Sequence, residues 1–108
     1  MTATSLSSLE ELRNELWTSL ASLLRSYTAM YGLASIHQAI VDLSSEKIIV
    51  RVDEKWMILA RNHEIVTWTR ENGESGTLEL TESGTLRGPA NNEAMDLVAE
   101  QWARELMQ

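Results

Sequence analysis

The sequence has no cysteine, no phenylalanine and a single proline in 108 residues. Without cysteine it can form no disulfide, no thiolate metal site and no cysteine nucleophile. Without phenylalanine the large aromatic volume falls to Trp17, Trp56, Trp68 and Trp102, with Tyr27 and Tyr31. No run approaches the ~20 apolar residues of a membrane span. The opening MTATSLSSLEEL lacks the basic region and the long apolar core of a secretion signal. A basic stripe is missing too, so phosphate backbones find no electrostatic footprint. These absences lead to the expectation of a cytoplasmic protein that binds neither nucleic acid nor membrane.

The charge is acidic and uneven. Sixteen acids against nine bases give a net charge of −7. Residues 44–70 carry five bases and four acids, whereas residues 71–108 carry eight acids and two bases. Solubility accounts for such a balance, and a partner with a basic surface would use it. Hydrophobic residues make up 44%, the level of a folded domain and not of a disordered chain. The length suits one domain over 1–108, with residues 1–7 expected to fray.

The stretch Lys47 to Arg70 organises the rest. It reads KIIVRV, DE, KWMILAR, NH, EIVTWTR: runs dense in Ile, Val, Trp and Thr between short polar breaks. That pattern predicts strands near 47–52, 56–61 and 64–70 joined by hairpin turns. Trp56 to Ala60 is apolar at five consecutive positions, so both faces of the middle strand call for cover. Beyond it comes a pentapeptide repeat, Glu74 to Leu78 and Glu82 to Leu86, each copy read as a glycine turn feeding a strand. Asn72-Gly73 and Ser83-Gly84 suit positive-φ turn positions. Further strands are expected near 77–81 and 85–87.

Helices flank the strands. Leu9, Leu12, Leu16, Leu20, Leu23 and Tyr27 recur at helical steps, and Ser7 or Ser8 with Glu10 or Glu11 fits a capping box, so a helix is expected over 8–31. Gly32 suits its end. Residues 33–43 fit either a helix or a strand, and the compact SSEK connection tips the reading to a strand. After Pro89, Asn91 or Asn92 is placed to cap a last helix to about 107, with Met95, Val98, Trp102 and Leu106 as its apolar stripe.

Candidate chemistry is thin. His63 sits in a turn and His37 among apolar neighbours, and two histidines with no HExxH-type spacing make no ordinary metal site. Gly73-Glu74-Ser75-Gly76 begins a nucleophile-elbow pattern, but Thr77 stands where its last glycine belongs. Glu71, Glu74, Glu79 and Glu82 fall on loops and edges, where carboxylates stay solvated. No catalytic, cofactor-binding or metal residue is therefore assigned.

The elements add up to an α+β fold: an antiparallel meander of four or five strands, with a long N-terminal helix and a C-terminal helix packed on one face. This order of elements resembles that of type III secretion chaperones and small bacterial immunity proteins. The resemblance includes no shared motif and carries no residue assignment. Two helices covering one face leave the other open, with Ile49, Trp56, Ile65 and Trp68 as candidate interface residues. The expected function is a non-catalytic interaction module, homodimeric and open to a protein partner. The alternative is a small-molecule binder or small enzyme with a pocket between sheet and helices near His37 or His63.

Overall fold

The computed structural model describes residues 2–33 and 37–108, with side chains described from Ser8 onward. Helix α1 spans Thr2–Gly32. Seven strands follow: β1 Ala39–Leu43, β2 Lys47–Val52, β3 Lys55–Asn62, β4 Ile65–Arg70, β5 Ser75–Leu80, β6 Thr85–Arg87 and β7 Asn92–Ala94. Helix α2, Met95–Leu106, comes last. Each strand pairs antiparallel with its neighbour in sequence, so the sheet is one seven-stranded meander. The α+β class agrees with the sequence reading, while its four or five strands undercount the sheet.

The differences have physical causes. Helix α1 starts at Thr2, so Ser7 and Ser8 lie inside it and not at its N-cap position; neither glycine nor proline interrupts the residues before them. Within the ambiguous stretch 33–43, Ala39–Leu43 is a strand, while residues 34–36 lie outside the described residues. Asn92 belongs to β7 and does not cap α2; Ala94 holds the cap position without a side-chain bond. The Met95 N–H instead donates to the Gly84 carbonyl at 3.0 Å, so the turn before β6 satisfies one orphan donor of α2.

Tight turns set the register. Asp53 and His63 open the β2–β3 and β3–β4 turns with φ of 55° and 57°, the positive value that two-residue hairpins need at their first central position. Gly73 and Gly84 take φ of 90° and 81°, as their turn chemistry suggests. The repeat is not a structural repeat. Gly84 lies in a turn, but Gly76 lies within β5, opposite Trp68. A Cβ on Gly76 would sit 2.5 Å from the Trp68 indole nitrogen, so glycine is there to admit the ring.

The pairing register sorts the strands into two faces. Ile48, Val50, Val52, Met57, Leu59, Val66, Leu80 and Leu86 point to one side and form the core with Trp17, Leu20, Ala21 and Leu24 of α1 and Ala99, Trp102 and Leu106 of α2. Both helices thus cover the same face. Trp17 also ties α1 to the strands: its indole N–H donates to the Ser44 carbonyl at 2.9 Å, and the Arg61 guanidinium stands 5.6 Å over its ring. The helices hold each other as well. The Tyr31 hydroxyl donates to the Glu100 carboxylate, which raises the Tyr31 pKa above its ordinary value.

Candidate functional site: the open face of the sheet

Side chains alternate along a strand, so every inward residue has an outward neighbour. The register lines these up in four rows across the sheet. Ile40, Arg51 and Trp56 form the first, and Asp42, Ile49, Ile58, Thr69 and Ser75 the second. Lys47, Ala60, Thr67 and Thr77 form the third. Asn62, Ile65, Glu79, Arg87 and Asn92 form the fourth. Neither helix belongs to this side of the sheet.

Ile40, Ile49, Trp56, Ile58, Ala60 and Ile65 make an apolar band on it. Ile40 is 60% exposed and Ile65 is 40% exposed. Ile49, Trp56, Ile58 and Ala60 are half-buried. Threonines 67, 69 and 77 border the band and give it a mildly polar margin. The Trp56 N–H donates to the Glu71 carboxylate at 3.3 Å, which fixes the backbone at the band's corner.

The charges here differ from those of the whole chain. Arg51 pairs with Asp42 at 3.2 Å, and Arg87 pairs with Glu79. With Lys47 and with Glu71 at the margin, the face holds three cations and three anions, against −7 for the chain. Exposed pairs of this kind add little stability. They do leave the face neutral in an acidic protein.

Three of the four candidate interface residues, Ile49, Trp56 and Ile65, meet on this face. Trp68 does not. It faces Leu59 and Gly76, packs with the core, and its ring lies 6.5 Å from Trp102 at a 51° tilt. Parity explains the difference: Asn62 pairs with Ile65, so residues 65, 67 and 69 share the face of 58 and 60, and Trp68 joins Met57 and Leu59. Ile40 and Ile58 complete the band but are absent from the sequence candidates. Their signals were the strand reading of 33–43 and the five-residue apolar run.

The histidines lie far apart, one beside each end of β3. His37 Nδ1 pairs with the Asp53 carboxylate at the β2–β3 turn. His63 Nδ1 lies 3.3 Å from Glu10 Oε1 at the β3–β4 turn. Among the described residues no three of His, Asp and Glu are grouped to hold a metal. Glu74 accepts from the Asn72 amide at 2.6 Å, and Glu79 lies not on a loop or edge but in β5, between β4 and β6, where it pairs with Arg87. Among the described residues no helix is long and apolar enough to cross a membrane.

Hydrogen bonds from His63 and then Arg13 hold the Glu10 carboxyl below its ordinary pKa. A depressed carboxylate stabilises the fold above its unfolded pKa, and that contribution is lost as pH falls through the lower, folded value. His63→Ala is expected to move the Glu10 titration midpoint upward, as followed by carboxyl carbon NMR. An unmoved midpoint would show that His63 does not make this contact in solution.

No protein-family model matches the chain, and no curated protein and no solved structure matches it either.

Proposed function

We propose that this protein is a non-enzymatic interaction module of the cytoplasm that works as a homodimer, closed through the open face of its sheet. One observation carries the reading: both helices sit on one face, and the other bears Ile40, Ile49, Trp56, Ile58, Ala60 and Ile65 on four adjacent strands. Monomers seldom leave contiguous apolar patches beyond a few hundred Å2 in water.

A second copy suits this face better than another cover. Five long strands spaced ~4.8 Å apart and rising ~3.3 Å per residue span roughly 500 Å2 in plan. Side-chain relief brings that toward the ~800 Å2 per partner of a standard interface. Two copies of a chain with net charge −7 repel over most of their surfaces, and this neutral face is where they can meet. A two-fold axis makes the same patch serve both partners. The cytoplasmic setting is compatible with the helices, none of which among the described residues is long and apolar enough to cross a membrane.

Light scattering tests the reading. The wild type is expected to run at twice its 12.2 kDa chain mass. Ile49→Lys places a charge in the centre of the band and is expected to give a folded monomer. A monomeric wild type would refute the dimer.

A further inference from the structure

Among the described residues the two edges of the sheet are β1 and β7, and β1 has a strand partner on one side only. The Ser44 N–H donates to the Lys47 carbonyl and closes the β1–β2 hairpin. Antiparallel ladders alternate between bonded and non-bonded pairs. In this register the bonded pairs are Asp42 with Ile49 and Ile40 with Arg51, so the N–H and C=O groups of Ala39, Val41 and Leu43 point to the free edge. Val41 bears this out, because its carbonyl accepts a bond from Arg25 of α1 at 3.2 Å. A side chain stands where a further strand would donate.

Beside that edge, between the second half of α1 and β1, lies a concavity of about 490 Å3. Its α1 wall includes the small residues Ala29 and Gly32, and its rim carries Leu33, 88% exposed. We infer that this groove docks an extended peptide segment of another protein, which adds to β1 as an eighth strand. The peptide is apolar at alternate positions and carries a carboxylate for Arg25. Main-chain bonds give such a mode its affinity, and alternate side-chain pockets give it specificity.

Three other occupants fit less well. Arg25 as a simple guard against edge pairing would need only the arginine, not a hollow beside it that Ala29 and Gly32 help to open. A metabolite would not use a row of backbone groups at strand spacing. Pairing of two β1 edges across a two-fold axis near Val41 would bring two Arg25 cations together. The inference supplies the partner's chemistry for the interaction module and rests on that reading, but it does not depend on the dimer.

The test is selection of a random library of displayed peptides about seven residues long, enough to span β1 at ~3.3 Å per residue. The library is panned on the wild type and on Ile49→Lys. Enriched peptides are expected to alternate apolar and polar residues and to include an acid, and to bind both proteins. Val41→Pro removes one outward N–H, which the sheet does not use, and is expected to weaken binding by about tenfold. Val41→Ala trims the same side chain, keeps that N–H, and is expected to bind like the wild type. Failure to enrich peptides, or equal binding by Val41→Pro and Val41→Ala, would overturn the groove. A monomeric wild type that still binds peptides in this way would overturn only the dimer.

Discussion

Trp17→Ala is expected to destabilise the fold by about 3–5 kcal/mol, the range for removing a buried aromatic side chain from a packed core. Trp17 is 2% exposed and lies on the sheet-facing stripe of α1 with Leu20, Ala21 and Leu24. Its loss opens a cavity against the sheet. It also removes the donor to the Ser44 carbonyl beside the β1–β2 turn and the ring beneath Arg61. Domains of this size have about 5–15 kcal/mol in total, so the variant should be marginal or unfolded. Trp17→Phe keeps most of the volume and loses the hydrogen bond, so its cost should be nearer 1 kcal/mol. Urea denaturation of the three proteins measures both. A loss below ~1 kcal/mol for Trp17→Ala would mean that α1 is not seated on the sheet as described.

Trp102→Ala carries a similar expected cost, about 3–5 kcal/mol, for a different reason. Trp102 is 8% exposed and lies on the inner stripe of α2 with Ala99, Ala103 and Leu106. Its ring leans on Trp68, which is itself admitted to the sheet surface by Gly76. Removing Trp102 therefore unseats α2 and also leaves Trp68 without its partner. The midpoint of thermal unfolding should fall by many degrees, since about 1 kcal/mol moves a domain of this size by roughly 4–8 °C. A shift of only a degree or two would place Trp102 at the surface and move it to the binding residues.

Much of this architecture is legible in the sequence. The β2 bounds follow from KIIVRV between polar breaks, and the α1 stripe follows from its leucine spacing. Strand β7 was not legible. Asn92-Glu93-Ala94 has no β-branched or aromatic residue, and Asn91 and Asn92 read as helix caps. It is a strand because β6 supplies a ladder for it, a tertiary effect that local propensity does not encode. The two copies of Glu-Ser-Gly-Thr-Leu misled for the same reason, since one glycine answers to a turn and the other to the indole of Trp68.

The open face was half legible. Alternation placed Ile49 outward, and the middle run promised apolar groups on both sides. Trp68 could have been assigned by carrying parity through the two-residue turn after β3, which puts it with Met57 and Leu59 wherever the turn is centred by a residue. The β1 edge groove was out of reach, because it joins a helix side chain, Arg25, to a strand 16 residues away.

In the proposed dimer a second copy covers the open face. The absence of native cysteine lets one introduced thiol report on it without background. Spin labels on Thr77→Cys would sit on the open face, and labels on Ser26→Cys would sit on the outer, exposed side of α1. Two sheets packed face to face lie ~10 Å apart. A dipolar coupling is expected between the Thr77 labels of two copies, at a shorter distance than between Ser26 labels. No coupling between Thr77 labels, or a shorter distance between Ser26 labels, would contradict it.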